Sequence, residues 1–300
     1  MKSRLIVNPV AGRDAAADFL QQLNEKLRRK FGMLDIVITT GPGDATAAAA
    51  QAAQLGYDCV FSAGGDGTLN EVLNGVATVD GALEAITLGV IPLGTGNDFS
   101  ATLGLSADAD LATDEILKGK RRTVDLGTVA EQFFVNTSAG GFIADVSEAV
   151  NPQLKSLAGR LAYIIGGAQV LWSFHPVEAK LELETDQGRV QHEASLQLFA
   201  VCNAPTLGGG QPIAPHASID DGWLDLCMIE AMPVGDFIAL LAAISRGEHL
   251  ADRRVSYFRI RAAKFHFGRT IRINTDGEVL EVPRCDYAVR PAAARFFSAE

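Results

Sequence analysis

Cysteine is scarce in this sequence, and positive charge is in the minority. Only four of the 300 residues are cysteines (Cys59, Cys202, Cys227, Cys285), and no two stand in CxxC spacing. That excludes a disulfide framework or a cysteine-rich zinc site; the apolar neighbours of Cys59 and Cys202 read as buried strands, where a thiol acts as a small hydrophobe. The five histidines (His175, His192, His216, His249, His266) also lack ligand spacing, which removes a histidine-built zinc centre. A formal charge of -10 excludes the broad basic face that binding to nucleic-acid phosphates needs. Long apolar runs are missing too. The opening MKSRLIVNPVAG turns polar too early for a signal-peptide core. Only Leu157–Phe174 approaches the length of a membrane span, and Arg160, Gln169 and the Gly166–Gly167 pair interrupt it. We expect a helix there, buried or facing a lipid cleft. There is no low-complexity linker and no internal repeat.

What remains is ordinary globular material. Apolar residues make up 48% of the chain, and at 300 residues a single core usually divides, so two domains are expected. The first part alternates short apolar runs with helical patterns: strands at Arg4–Val7, Asp35–Thr39, Cys59–Ala63 and Ile86–Ile91, with helices at about Ala15–Phe31, Asp44–Leu55 and onward from GGDGT to Val76. Strand, loop, helix, repeated, is the pattern of an open, mostly parallel α/β sheet, whose ligands sit at the carboxyl ends of the strands. The loops NPVAG, TTGPGDA, GGDGT and PLGTGND all fall there.

After about Val124 the period changes. Glu178, Lys180, Glu182 and Glu184 alternate with Ala179, Leu181 and Leu183 before a DQG turn. Phe265 and Phe267 alternate with charged neighbours, Gly268-Arg269 reads as a turn, and Ile271 and Ile273 share one face of the next strand. Period two with tight turns means antiparallel β, here a β-sandwich with one or two inserted helices, one near Val234–Ser245. The expected division is an α/β domain over 1–124, joined by 286–300, and a β-sandwich domain over 125–285.

Four loops carry chemistry. Asn8 opens a strand-to-helix turn able to present N–H groups to an anion, a weak signal alone. Gly64-Gly65-Asp66-Gly67-Thr68 is stronger: its glycines let the backbone approach a ligand, Thr68 opens a helix with Glu71 in capping-box register, and Asn70 lies in the first turn. A carboxylate such as Asp66 among phosphate-facing N–H groups suggests an intervening Mg²⁺. The second glycine loop, Pro92–Phe99, is neither a Walker loop nor a dinucleotide fingerprint. Together they suggest a triphosphate held by main chain and hydroxyls, with no dedicated lysine. In the second domain, Asn274-Thr275-Asp276-Gly277-Glu278 ends a strand with two carboxylates. Phosphoryl transfer to an alcohol needs a group that takes the hydroxyl proton; Asp276 is the candidate, with Glu278 beside it for metal or nucleotide. Asp220-Asp221-Gly222, with Asp225, is either a turn or a cation site made of one carboxylate and backbone carbonyls.

In order along the chain, GGDGTLNEVLNG, PLGTGNDF, GGGQPIAPHASIDDGWLDL and NTDGE resemble the diacylglycerol-kinase catalytic superfamily, above all its bacterial YegS-like lipid kinases, relatives of the sphingosine kinases. The resemblance spans nearly the whole chain. It implies an N-terminal α/β domain to which the chain end returns, a C-terminal β-sandwich, and a nucleotide in the cleft. It implies ATP as co-substrate and Mg²⁺ as cofactor. Nucleotide contacts would fall to Asn8, Thr39, Gly64, Gly65, Asp66, Gly67, Thr68, Leu69, Asn70 and Thr95, with Glu278 facing the nucleotide. Asp276 would be the catalytic base, and a structural Mg²⁺ would sit at Asp221 with the carbonyls of Ser218 and Trp223.

The expected function is therefore an ATP-dependent lipid kinase acting on the hydroxyl of a diacylglycerol-like lipid. The alternatives are a soluble-substrate kinase of the NAD-kinase kind and a binding module without chemistry; PLGTGNDF and the IAPHASIDDGWLDL segment argue against the first, and the retained acids against the second. The expected partners are nucleotide and a lipid at a membrane surface, with no nucleic acid, and a homo-oligomer is left open. The expected place is the cytoplasm with reversible membrane contact, through Lys118, Lys120, Arg121 and Arg122 or through Arg253, Arg254, Arg259 and Arg261.

Overall fold

A computed structural model describes residues 1–9, 17–142, 144 and 174–299. Val10, Ala11 and Gly12 of the first loop, and all but Phe174 of the apolar segment expected as a helix, lie outside the described residues. The chain divides into two compact units, Met1–Leu126 with Pro291–Glu300, and Gly127–Arg290.

The first unit is built on parallel strands β1 (Lys2–Val7), β2 (Met33–Ile38), β3 (Cys59–Gly64) and β4 (Thr87–Pro92), in the order β4-β3-β1-β2. β3 and β4 are buried along their whole length, which is why their sequences are unbroken apolar or small runs with no alternation. Helices α1 (Ala17–Phe31), α2 (Asp44–Gln54), α3 (Asp66–Ala77), α4 (Ala82–Ala85), α5 (Asp98–Thr102) and α6 (Ala109–Leu117) connect and flank them. The buried alanines of α2 let α3 approach so closely that a Cβ on Gly75 would collide with the Thr46 carbonyl.

The last residues of the chain complete this unit. Arg295 and Phe296 pair in parallel with Thr87 and Leu88 of β4. Phe297 stacks on Phe61 at 5.7 Å between ring centroids and meets Phe31 edge-on at 5.3 Å, while Phe296 meets Phe99 edge-on at 4.9 Å. Such aromatic pairs each contribute about 0.5–1.5 kcal/mol beyond their burial.

The second unit is antiparallel, a C-terminal β-sandwich. β5 (Arg121–Val129) enters it and pairs with β6 (Gln132–Phe134); β7 (Thr137–Gly141), β8 (Val177–Thr185), β9 (Gly188–Cys202), β10 (Leu224–Glu230), β11 (Val255–Thr275) and β12 (Glu278–Phe297) follow. Alternation along β8 sends Ala179, Leu181 and Leu183 into a core shared with Phe199, Met228, Phe265, Ile273 and Tyr287. A second apolar cluster packs Leu198, Ala200 and Cys227 against Phe237, Leu240 and Ile244 of helix α7 (Val234–Ile244).

One local expectation fails. Gly268-Arg269 is not a turn: β11 runs unbroken from Val255 to Thr275, and the sequence irregularity appears as a register shift against β12 between His266 and Ile271. A shift of this kind absorbs extra residues while keeping Phe265 and Ile273 on the buried face, so the strand need not end.

Candidate functional site

Because β1 to β4 are parallel and in register, their carboxyl ends lie side by side: Val7 opposes Ile38 and Ala63, and Gly64 opposes Pro92. Asn8, Thr39, Gly65 and Leu93 follow directly at these ends. The Asn8 amide donates to the Thr68 hydroxyl at 3.1 Å, and its backbone N–H donates to Ala63 O at 2.9 Å. Thr39 is buried with its hydroxyl 3.3 Å from Val7 O. The next turn is held by Asp44, which accepts the Thr40 hydroxyl and N–H at 2.7 Å each and the Gly41 N–H at 3.0 Å. Those bonds, the Thr40 hydroxyl first, hold the Asp44 carboxyl below its ordinary range.

The two glycine loops are fastened to each other. Leu93 N–H donates to Gly64 O at 2.9 Å, and Asp66 accepts the N–H groups of Asp98 and Phe99 at 3.2 Å each, which caps α5. A Cβ on Gly94 would stand 2.5 Å from the Cα of Gly65, and one on Gly64 would stand 2.5 Å from the Thr68 hydroxyl oxygen. Asn97, with φ 54°, closes the second loop: its side chain accepts Gly94 N–H at 3.0 Å and donates to Gly94 O at 2.7 Å. Thr95 stands exposed between them. At the head of α3 the N-cap is Gly65, with no side chain capping the helix. The first N–H groups of a helix have no intrahelical partner, and the helix dipole adds positive potential there. Leu69 and Asn70 are buried in the first turns, and Asn70 Oδ1 accepts from Asn74 Nδ2 at 3.2 Å.

The capping-box expectation is corrected. The helix starts at Asp66, two residues before Thr68, and Glu71 instead accepts from Gly43 and Thr46 N–H at 3.1 and 3.4 Å, at the head of α2. The spacing is that of a capping box, but an uncapped neighbouring helix is the nearer donor.

In the second unit, Asp276-Gly277 is a two-residue hairpin between β11 and β12, with Thr275 opposite Glu278. Asp276 takes φ 47° and Gly277 φ 100°, the left-handed backbone that such a turn requires. Asp276 is 6% exposed, and its carboxylate accepts Val135 N–H at 2.7 Å, Asn136 N–H at 3.1 Å and Thr137 N–H at 2.9 Å. Three N–H donors favour its charged form and occupy it. Glu278 is exposed, and its carboxylate makes no hydrogen bond or ion pair among the described residues.

The loop before β10 is held by charge. Asp221 accepts Trp223 N–H at 3.1 Å and pairs with the Arg259 guanidinium at 2.5 Å, while Ser218 hydroxyl bonds Asp220 at 2.9 Å. Arg259 and Arg261 both lie over the Trp223 ring, at 5.3 and 4.5 Å. A divalent ion on Asp221 would face the guanidinium already bound there, so Ser218, Asp221 and Trp223 do not fit one as they stand. Asp225 beneath them is 1% exposed, and burial pushes its carboxyl up to about 6. The Tyr257 hydroxyl lies beside it, outside hydrogen-bond geometry.

Three residues escaped the sequence reading. Asn97 and Asp98 follow the glycines of PLGTGNDF, and a polar pair after a glycine loop is a signal for a closing turn and a helix start. Asp125, buried and accepting Ala292 N–H at 2.7 Å, is an isolated acid in the apolar run Val124–Val129, and that isolation is its signal.

Known proteins share this arrangement. Residues 2–129 match the diacylglycerol kinase catalytic domain, and residues 136–298 match the YegS C-terminal NAD kinase beta sandwich-like domain. A diacylglycerol kinase of Bacillus subtilis (strain 168) is 35% identical over 278 residues, 92% of this chain and 89% of that protein. One from Staphylococcus saprophyticus is 33% identical over 277 residues, 92% of this chain and 88% of its own. The chain belongs to the diacylglycerol kinase catalytic-domain family, with YegS-like lipid kinases. The crystal structure of a diacylglycerol kinase from Bacillus anthracis str. Sterne shares the fold at TM-score 0.75 and 24% identity, covering 99% of this chain and 96% of its own. A second structure from that organism superposes at TM-score 0.81 and 27% identity, covering 99% of this chain and 95% of its own. The family is one of kinases, and this chain is a lipid kinase by that membership. Among the described residues no helix is long and apolar enough to cross a membrane.

Proposed function

We propose that the protein transfers the γ-phosphate of ATP to the hydroxyl of a diacylglycerol-like lipid. The observation that carries this reading is the pair of touching glycine loops beside the uncapped head of α3. Unpaired N–H groups at such a terminus suit phosphate oxygens, and the absence of side chains at Gly64, Gly65 and Gly94 leaves the backbone open to close approach. Thr68, whose hydroxyl already accepts from Asn8, keeps its proton to donate to a phosphate. Thr95 is exposed and able to reach the same ligand.

Mg²⁺ in kinases is bound through one or two carboxylates plus substrate phosphates. Asp66 fits that role as a half-buried carboxylate held beside both glycine loops by the N–H groups of Asp98 and Phe99. When bound, the ion would neutralise phosphate charge. The Asp221 loop stays outside this proposal.

For the proton acceptor the geometry favours Glu278 over Asp276. A carboxylate tied by three backbone N–H groups is a poor base, and its burial suits it to fixing the hairpin that carries Glu278. Glu278 is exposed and uncommitted, so it can meet a lipid hydroxyl and take its proton as the phosphoryl group arrives. The lipid leaves as a phosphate monoester, and ADP as the second product.

Reversible membrane contact belongs to the same reading. Of the second basic cluster, Arg254 pairs with Asp236 and Asp252, and Arg259 with Asp221. The cluster around Lys118 and Lys120 is therefore the better headgroup surface. The deciding experiment incubates the protein with γ-labelled ATP and Mg²⁺, offering vesicles of diacylglycerol, phosphatidylglycerol or sphingosine, or NAD in solution. Label in a lipid is expected; label in NAD alone, or in nothing, overturns the reading.

A further inference from the structure

A cavity of about 310 Å³ lies within the second unit, between the end of β7, the start of β8, the later part of β11 and the start of β12. Phe174, Val177 and Ile271 give it an apolar wall, and Arg269, Arg272 and Glu281 give it a charged one. Arg272 is engaged by Glu281 at 3.3 Å. Arg269 donates to the carbonyl of His175 at 3.3 Å and pairs with no carboxylate among the described residues. Among the described residues no carboxylate neutralises Arg269, in a chain whose formal charge is -10. A lone surface arginine would ordinarily be a solvated side chain. Here a guanidinium with no carboxylate partner among the described residues borders a concavity with an apolar wall, which a solvated surface arginine does not need.

We propose that this cavity binds the phosphate group of an anionic amphiphile, with Arg269 as its principal donor. The guanidinium fork matches two phosphate oxygens at once, and the apolar wall receives the first carbons beyond the phosphate. The volume is at the lower end of ligand pockets, about 300–1,000 Å³, so it holds a headgroup and its glyceryl portion while acyl chains remain outside. It is distinct from the place of the reacting hydroxyl. Arg272 lies four residues from Asp276 along β11 and Glu281 three from Glu278 along β12, roughly 10–13 Å at the rise of a strand. That exceeds the reach of one glycerol, so the bound phosphate belongs to a second, non-reacting molecule. This goes beyond the kinase reading and does not require it.

The test is binding without nucleotide. Dihexanoyl phosphatidic acid below its micelle concentration, glycerol 3-phosphate and dihexanoyl phosphatidylcholine are titrated by calorimetry into wild type, Arg269→Ala and Arg269→Lys. Saturable binding of the phosphatidic acid is expected, at least tenfold weaker in Arg269→Ala and partly kept in Arg269→Lys, with an unchanged melting temperature. Weaker binding of glycerol 3-phosphate assigns the site to a lipid headgroup, and equal binding assigns it to a free phosphate ester; both support the phosphate site. The proposal is overturned if Arg269→Ala binds like wild type, if phosphatidylcholine binds as well as phosphatidic acid, or if nothing saturates. Phosphoryl transfer is read separately, so failure of the kinase reading would show there and not here.

Discussion

Gly65 and Gly94 meet backbone to backbone, so closely that a Cβ on Gly94 would stand 2.5 Å from the Cα of Gly65. Neither neighbour in that contact is a flexible side chain that could swing aside. Gly94→Ala must therefore part the two loops. Overpacking of this kind costs about 1–3 kcal/mol, and we expect a lowered melting temperature together with weaker ATP binding. An alanine variant with wild-type nucleotide affinity would show that the contact does not shape the phosphate site.

Asp276 and Glu278 should separate in their effects. Glu278→Gln keeps the hairpin and removes the base, so turnover should fall by about 10²–10⁴ with little change in melting temperature. Asp276→Asn replaces a carboxylate acceptor, facing three N–H groups, with an amide that has one oxygen. It should lower stability by about 2–3 kcal/mol and turnover with it. If Asp276→Asn keeps full stability while Glu278→Gln keeps full turnover, the roles assigned to the pair are reversed.

Arg259 stands where a cation would otherwise neutralise Asp221. Melting temperature of the wild type should then be indifferent to EDTA or Mg²⁺ through this loop. Arg259→Gln should be less stable in EDTA and regain stability in millimolar Mg²⁺. A wild type that itself loses stability in EDTA without nucleotide would place a metal in the loop after all.

Asp225 gives a pH dependence of defined sign. Its folded carboxyl is raised to about 6, mainly by burial, from an unfolded value near 3.8. The native state then holds the proton more tightly, and the stability this gives is present below the unfolded value. It is lost as pH rises through about 6. Thermal melts between pH 4 and 7 should show this fall, and Asp225→Asn should flatten it. An unchanged slope in the variant would assign the dependence to other groups.

Much of the first unit was legible because its physics is local. Parallel strands buried on both faces must be apolar runs, helices between them must show the 3.6 period, and glycine loops at strand ends stand out. The antiparallel second half was legible for the same reason, from alternation in Glu178–Glu184. What escaped depends on contacts distant in sequence. Glu71 has capping-box spacing, yet its donors are on α2, 28 and 25 residues earlier. Asp276 reads as a surface Asp-Gly turn, and only the N–H groups of Val135 to Thr137 make it a buried anion. Gly268-Arg269 has turn composition, but the apolar residues on either side hold one continuous strand.

The pairing of Arg295 and Phe296 with β4, and the packing of Phe296 and Phe297 among Phe31, Phe61 and Phe99, bear on the order of events during synthesis. A nascent chain ordinarily folds its N-terminal domain first. Here the first unit lacks a strand and two aromatic side chains until Arg295 to Phe297 have been added. Completion of the sheet that carries its nucleotide loops therefore waits for those residues, and the intervening stretch Gly127–Arg290 has the earlier opportunity to fold.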